Sequence, residues 1–223
     1  MKRHVPNLLT GLRLILAVVF FVLLSFYQYE GRGSPALLTV AFFVYIVALV
    51  TDFLDGHLAR KWKVEGAFGR IVDPFVDKIL VLGSFAFFAG KNFIIADHEA
   101  AGPGFVARTI TGVVPAVFVI MLARELLVTA IRGAAESSGV RFGAEMAGKV
   151  KMVVQSLTIL IILAYVNYLP ALSRYDDRHG TSLLTYATYV RDLCIWTTVT
   201  VTVVSGLGYI HRAACMYRPG GKA

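Results

Sequence analysis

The sequence predicts an all-α integral membrane protein, built as a single bundle of six membrane-spanning helices. Of its 223 residues, 57% are hydrophobic and only 16% are charged, with a mean hydropathy of +0.69. This composition is more apolar than that of an ordinary soluble domain. A helix needs about 20 mostly apolar residues to cross the hydrocarbon of a bilayer. Stretches of that kind fill most of the chain, at approximately 6–28, 35–58, 71–90, 109–131, 150–168 and 183–209.

The first apolar stretch has a signal peptide as its alternative interpretation. It follows a short basic N-terminus, but no small-residue cleavage pattern comes after it, and the run ends in Tyr27, Gln28 and Tyr29. We therefore interpret it as a retained first helix.

Basic residues between the spans predict how the bundle is oriented. The net charge of +8 would suggest nucleic acid as a partner of a soluble protein, whereas here the cations fall in short connections between apolar segments. One side carries 13 of them: Lys2, Arg3, Arg60, Lys61, Lys63, Arg70, Arg132, Arg141, Lys149, Lys151, Arg212, Arg218 and Lys222. The other side carries 6: Arg32, Lys91, Arg108, Arg174, Arg178 and Arg191. By the positive-inside rule, both termini and the even-numbered connections are cytoplasmic, and no nucleic-acid partner is expected.

The connections on the other side are interpreted as solvated linkers without chemistry. Their glycine, proline and mixed charges are typical of turns, in segments 30–35, 101–104 and 174–180. Asp97, His98 and Glu99 lie close together in one of them, but adjacent polar residues in a polar connection are usually only solvated. The two cysteines, Cys194 and Cys215, suggest neither a disulfide framework nor a metal cluster.

Four aspartates are the strongest functional signal in the sequence. An ionisable residue at the centre of a membrane helix costs roughly 2.5 to 3.5 kcal/mol, so a cluster of them is first interpreted as functional. At about 100° per residue, Asp52 and Asp55 lie about 60° apart on one helix, and Asp73 and Asp77 lie about 40° apart on the next. The connection between these helices is short, so we expect antiparallel packing that brings both pairs together near the cytoplasmic surface.

Carboxylates gathered in one pocket repel one another unless cations neutralise them. Ligation by oxygen alone favours Mg²⁺, Mn²⁺ or Ca²⁺ over zinc. A pair of such metals suits phosphoryl transfer, with one carboxylate left as a general base. The purely structural alternatives are an N-cap role for Asp73, which precedes Pro74, and an ion pair of Asp52 or Asp55 with Arg60. Each explains one acid, not four.

Eight fixed positions around these acids resemble the signature of the CDP-alcohol phosphotransferases. They are Asp52-x2-Asp55-Gly56-x2-Ala59-Arg60-x8-Gly69-x3-Asp73-x3-Asp77. The resemblance implies a six-helix membrane domain, usually a homodimer, that displaces CMP from a CDP-linked donor with an alcohol. It also implies a catalytic base at Asp77 and metal ligands, for two Mg²⁺ or Mn²⁺ ions, at all four aspartates. Gly56, Ala59, Arg60 and Gly69 would line the CDP site.

The first helix contains polar residues that interrupt its apolar run. Arg13 is either a snorkelling cation near the interface or, with Asn7 and Thr10, a neighbour of the bound nucleotide. We place Asn7 and Thr10 in the CDP site.

Two further stretches indicate which alcohol is the acceptor. Arg124 and Glu125 lie within an apolar segment that continues to Arg132, and Lys149 and Lys151 flank the start of the fifth span. These residues either pair with other helices and mark the cytoplasmic side, or bind an anionic phosphate acceptor. We interpret Arg124, Arg132, Lys149 and Lys151 as the acceptor phosphate site.

The same stretches are similar to segments of the bacterial enzymes that make phosphatidylglycerophosphate. The resemblance implies transfer of a phosphatidyl group from CDP-diacylglycerol to glycerol 3-phosphate in the bacterial inner membrane, with the active site facing the cytoplasm. Met152 departs from that pattern, where threonine is common. The alternatives are synthesis of cardiolipin or a phosphatidylinositol phosphate by the same chemistry and, in a different class, a membrane cation transporter.

Overall fold

The computed structural model of the chain describes residues 5–29, 34–62, 67–95, 109–138, 146–180 and 182–216. Within these ranges it describes no side chain at 5–7, 55–62, 67–71, 73–74, 146–147 or 179.

The described chain is helical, as the sequence predicts. Its α-helices are α1 (Val5–Phe26), α2 (Pro35–Trp62), α3 (Ala67–Phe88), α4 (Pro115–Ser137), α5 (Met146–His179) and α6 (Leu183–Met216), with one short 3-10 helix at Lys91–Phe93. Across the described ranges the only β-type pairing is a single antiparallel bridge between Ile94 and Thr109. Each α-helix corresponds to one of the six predicted segments, so the all-α class is confirmed.

Four of these helices contain segments that are long and apolar enough to cross a membrane: Leu8–Phe26, Pro35–Leu54, Gly148–Arg178 and Leu183–Cys215. They belong to α1, α2, α5 and α6. Such segments in one chain are typical of a membrane protein.

Helix α4 begins at Pro115, not near residue 109 as predicted. The preceding residues form a tight turn, in which Thr111 Oγ1 donates to the Phe88 carbonyl over 2.7 Å and Gly112 has a φ of +73°. A Cβ at Gly112 would lie 2.8 Å from Arg191 Nε, so both the conformation and the space there favour glycine. Pro115 then suits the first turn of α4 because the missing N–H has no helical partner at that position.

Helix α5 continues to His179, beyond the predicted span of 150–168, so most of segment 174–180 is helical and not a linker. The Asp176 carboxylate accepts hydrogen bonds from the backbone N–H groups of Leu183 and Leu184, at 3.2 and 2.8 Å. The last turns of α5 therefore cap the start of α6, where N–H groups lack helical partners. Helix α6 also extends beyond its predicted end, to Met216.

Aromatic side chains form the core at the end of the bundle where α1 finishes and α2 begins. Phe20 contacts Tyr45 with 5.3 Å between ring centroids, and Phe88 meets Phe93 edge to face at 5.7 Å. Helices α1 and α3 approach so closely that a Cβ at Gly83 would lie 2.5 Å from Phe21 Cζ. The polar residues singled out from the sequence lie toward the opposite end of the same helices.

Candidate active site

Helix α1 places Arg13 inside the bundle, one turn after Thr10. The exposed fractions of these side chains are 1% for Arg13 and 0% for Thr10. They point inward together because residues three apart share a helix face. Arg13 is thus a buried part of the site and not a snorkelling cation at the surface.

Arg13 joins the two aspartate-bearing helices. Its Nη1 lies 2.8 Å from Asp52 Oδ1 on α2 and 2.6 Å from Asp77 Oδ1 on α3. The aspartate side chains are 38% and 25% exposed, so they border an open space while the arginine that pairs with them is covered. The expected convergence of α2 and α3 is therefore seen for one aspartate of each pair.

The carboxylates of Asp52 and Asp77 fit a hard divalent metal by their chemistry, since Mg²⁺ and Mn²⁺ prefer oxygen ligands. In this structure Arg13 is the cation that lies between them. Asp55 and Asp73, the other predicted metal ligands, lie in α2 and α3, and their side chains are outside the described set. Among the described side chains, no group of three or more potential metal ligands occurs.

The predicted CDP-binding residues fall on the three helices that meet at Arg13. Thr10 is described and buried. The others are Asn7 in the first turn of α1, Gly56, Ala59 and Arg60 in the last turns of α2, and Gly69 in the first turn of α3. The structure does not describe the side chains at these positions. Asp97, His98 and Glu99 are outside the described ranges.

A cavity of about 340 Å³ lies beside Asp77. Helices α3, α4, α5 and α6 line it, and it brings together the four cations predicted to bind the acceptor phosphate: Arg124, Arg132, Lys149 and Lys151. They come from separate parts of the chain, two from α4 and two from the first turns of α5.

Ion pairs and hydrogen bonds hold two of these cations in place. Glu125 Oε1 accepts hydrogen bonds from Arg124 Nη1, at 2.9 Å, and from Lys151 Nζ. Arg124 Nη2 also donates to Ser205 Oγ on α6 over 2.7 Å. Arg124 and Lys151 therefore pair with neighbouring helices, as one interpretation of the sequence expects, and they also line a cavity. Binding of an acceptor phosphate stays a prediction.

The cavity is also lined by Lys78, Gln155 and Tyr209, which were not predicted as site residues from the sequence. Lys78 Nζ donates to Thr129 Oγ1 over 2.8 Å, and Gln155 Nε2 donates to Thr202 Oγ1 over 3.2 Å. Lys78 could have been predicted from the sequence, because it is a cation within an apolar segment and follows Asp77 directly. Tyr209 could not, because a tyrosine in an apolar helix is usually packing.

A second cavity, of about 250 Å³, lies on the other side of Asp77. Arg13, Asp52 and Asp77 line one part of it, and the rest is mainly apolar, with the side chains of Leu49, Leu80, Val153 and Leu157. Asp77, Val81 and Met152 line both cavities. Asp77 therefore stands between a cation-rich space and an apolar one.

Aspartates beside a cationic cavity in a bundle of apolar helices suit a membrane enzyme that acts on a phosphate ester. Comparison with known proteins identifies the family. The sequence pattern of the CDP-alcohol phosphatidyltransferases matches residues 3–204. The chain belongs to this family, which confirms the resemblance drawn from the aspartate signature.

Several bacterial proteins are similar to the chain. A CDP-diacylglycerol–glycerol-3-phosphate 3-phosphatidyltransferase of Haemophilus influenzae is 36% identical over 132 residues, which are 59% of each chain. A protein of the same name from Cereibacter sphaeroides is 26% identical over 96% of each chain. A probable phosphatidylglycerophosphate synthase of Mycobacterium tuberculosis is 30% identical over 94% of this chain and 81% of its own.

Proposed function

We propose that this protein transfers a phosphatidyl group from CDP-diacylglycerol to glycerol 3-phosphate, giving phosphatidylglycerophosphate and CMP. One observation carries the proposal: Asp77 borders both the cation-rich cavity and the apolar cavity. A base that joins a polar acceptor to a lipid donor has to reach both. The names of the bacterial relatives support the same reaction.

The charge of the first cavity suits an acceptor that carries a phosphate monoester. Its lining includes five cations, on Lys78, Arg124, Arg132, Lys149 and Lys151, against two carboxylates, on Asp77 and Glu125, which leaves an excess of three positive charges. Arginine binds phosphate through two parallel hydrogen bonds, and lysine binds it as a point charge. At about 340 Å³ the cavity is also near the lower end of small-molecule sites, as glycerol 3-phosphate requires.

The second cavity suits the lipid part of the donor. Leu49 of α2 and Val153 and Leu157 of α5 form apolar walls that lead to Asp52 and Asp77. A diacylglycerol group placed against these walls keeps its chains in an apolar medium, while its phosphate lies near the aspartates. Cardiolipin synthesis would instead require a phospholipid acceptor, for which the cationic cavity offers less room.

The chemistry requires a proton acceptor beside the attacking hydroxyl. Asp77 takes the proton of the glycerol hydroxyl, the resulting oxygen attacks the phosphorus that carries diacylglycerol, and the bond from that phosphorus to the oxygen of CMP breaks. Arg13 holds the Asp52 and Asp77 carboxylates in place. Arg124 and Lys151 hold the acceptor phosphate so that its hydroxyl faces Asp77.

We also propose that Asp52, Asp55, Asp73 and Asp77 bind two Mg²⁺ or Mn²⁺ ions. The convergence of Asp52 and Asp77 supports this, as do the spacings of all four acids. When bound, such ions neutralise the pyrophosphate of the donor and stabilise the departing phosphate.

For the whole protein we propose six membrane crossings, with both termini and the active site on the cytoplasmic side of a bacterial inner membrane, and assembly as a homodimer. Helices α3 and α4 are 22 and 23 residues long, which is enough to cross with the others despite their greater polarity. The excess of basic residues at the active-site end supports the orientation. The homodimer rests on the family resemblance alone.

An acceptor panel tests the proposed function. Purified protein is supplied with CDP-diacylglycerol, Mg²⁺ and, separately, glycerol 3-phosphate, phosphatidylglycerol or inositol 3-phosphate, and both CMP and the lipid product are measured. We expect turnover with glycerol 3-phosphate. Turnover with another acceptor alone would contradict the choice of acceptor but not the family chemistry. Ion flux without CMP release would favour the transporter alternative.

A further inference from the structure

Helix α6 reaches the cationic cavity through Tyr209 and contributes nothing to the aspartate signature. Ser205, Gly206 and Tyr209 lie within one turn of this helix and face α4. Ser205 and Tyr209 are both 3% exposed, although serine and tyrosine carry polar groups. Because residues four apart lie on one helix face, these two side chains form a continuous surface against α4.

Tyr209 contacts both arginines of the cavity. Its ring centroid lies 5.6 Å from Arg124 Cζ and 5.9 Å from Arg132 Cζ. Both distances are within the range in which a guanidinium is attracted to an aromatic ring. Arg132 Nε is buried without a hydrogen-bond partner among the residues that the structure describes. The ring of Tyr209 is therefore the described contact that orients this guanidinium.

Ser205 and Gly206 restrict the first arginine further. Ser205 Oγ accepts hydrogen bonds from Arg124 Nε and Nη2, at 3.2 and 2.7 Å. A Cβ at position 206 would lie 3.1 Å from Arg124 Cγ, so glycine lets the arginine stem lie against the helix. The Tyr209 hydroxyl also lies 3.7 Å from the Cβ position of Gly148, at the start of α5 and next to Lys149.

Two guanidinium groups held near one ring repel each other, and a dianion between them relieves that repulsion. Holding them there in advance also spares the rotamer entropy that two flexible arginines would otherwise lose on binding. The arrangement therefore favours a phosphate over an uncharged ligand.

We propose that Tyr209, assisted by Ser205, is a positioning residue that aims Arg124 and Arg132 at the phosphate of the acceptor. The inference rests on the proposed function, since it concerns the acceptor of that same site. Tyr209 acts through its ring face, and its hydroxyl is not required for this role. Helix α6 thereby determines acceptor affinity without taking part in the bond-breaking step.

Kinetics of the full-length protein with CDP-diacylglycerol and glycerol 3-phosphate test this. Tyr209→Leu removes two partly desolvated cation–π contacts, so we expect the KM for glycerol 3-phosphate to rise by about tenfold. The kcat at saturating acceptor and the KM for CDP-diacylglycerol should stay within about twofold of the wild type, because the proposed role acts through acceptor binding alone. Tyr209→Phe keeps the ring and should behave like the wild type. Ser205→Ala should raise the same KM by a smaller factor.

Tyr189→Leu is the matched control. It is the same substitution on the same helix, at a side chain that is 68% exposed, twenty residues and about 30 Å from Tyr209. An unchanged KM for glycerol 3-phosphate in Tyr209→Leu would overturn the inference, as would equal losses in Tyr209→Phe and Tyr209→Leu. If Tyr209→Leu does not fold, Ser205→Ala decides: an unchanged KM counts against the inference and a raised KM supports it.

Inorganic phosphate separates this inference from the proposed function. We expect it to raise the unfolding temperature of the wild type and of Tyr209→Phe, but to have a weaker effect on Tyr209→Leu. If the wild type makes no product with glycerol 3-phosphate, the proposed function fails, while loss of phosphate stabilisation in Tyr209→Leu alone would still support the positioning role. Equal stabilisation of all three proteins would contradict it.

Discussion

The two ends of the bundle bury different kinds of side chain along the same helix faces. On α1, Thr10 and Arg13 continue through Ala17 into Phe20 and Leu24, so one buried stripe changes from polar to apolar. On α5, Lys151, Gln155 and Thr158 continue into Ile162 and Tyr165 in the same way. The spacing of three and four residues is kept throughout, as expected for the inward face of a helix.

The apolar end and the polar end of the bundle contribute differently to stability. Phe85, Phe88 and Phe93 are fully buried at the aromatic end, where each adds dispersion contacts without an electrostatic cost. At the active-site end, Arg13 and Arg124 are buried beside carboxylates, an arrangement that apolar residues of similar volume often equal or exceed in stability. Charged groups in that position are thus best explained by the reaction.

The largest expected effect of a single substitution is that of Asp77→Asn. Asparagine cannot accept the proton of the glycerol hydroxyl, so we expect kcat to fall by about 10²- to 10⁴-fold. CMP release under saturating substrates measures this, and binding of the CDP-lipid should remain detectable. Asp177→Asn, at an exposed position on the far part of α5, is the control. Near-normal activity in Asp77→Asn would contradict its assignment as base.

Arg13→Met should have the next largest effect, because it leaves Asp52 and Asp77 without their shared cation. Displacement of a catalytic group by about 1 Å can cost a factor of about 10² in rate. We also expect a lower unfolding temperature than in the wild type, with the deficit largest in metal-free buffer and reduced by Mg²⁺ or Mn²⁺. If Arg13→Met lowers the unfolding temperature equally with and without metal, Arg13 and the metal do not act on the same aspartates.

Arg132→Ala tests the acceptor side of the active-site end. A lost hydrogen bond to a charged group costs about 1.5 to 3 kcal/mol, so the KM for glycerol 3-phosphate should rise by about ten- to a hundredfold. The KM for CDP-diacylglycerol should change little. Parallel increases in both constants would place Arg132 in general packing and not in acceptor binding.

The smallest effect on turnover is expected at the aromatic end. Phe88→Ala removes a fully buried ring and should lower the free energy of unfolding by about 3 to 5 kcal/mol. The kcat of the protein that remains folded should change by less than about twofold, since the aspartates lie at the opposite end. Phe43→Ala, at a ring that is 58% exposed, is the matched control for the stability measurement. A large loss of kcat in Phe88→Ala would show that the two ends are coupled.

The six α-helices and the family could be predicted from the sequence alone. Apolar runs of about twenty residues predicted all six α-helices. A helix that crosses a bilayer needs an apolar composition whichever other helices it contacts, so this feature can be predicted without the tertiary structure. The spacing of the four aspartates identified the family because it resembles the signature of that family. The sequence also predicted that the cations of α4 and α5 lie at one site, and they line one cavity. Charged residues in apolar helices are costly, so they indicated a functional site.

The sequence alone could not show which of these side chains contact one another, or which neighbours fix their positions. The start of α4 depends on Thr111 contacting Phe88 and Gly112 lying against Arg191, and the length of α5 depends on Asp176 capping α6. Arg13 became part of the active site through Asp52 and Asp77, and Tyr209 through two arginines on another helix. Each of these contacts joins residues far apart in the chain or on different helices, and helical periodicity and residue propensity describe only neighbours within one helix.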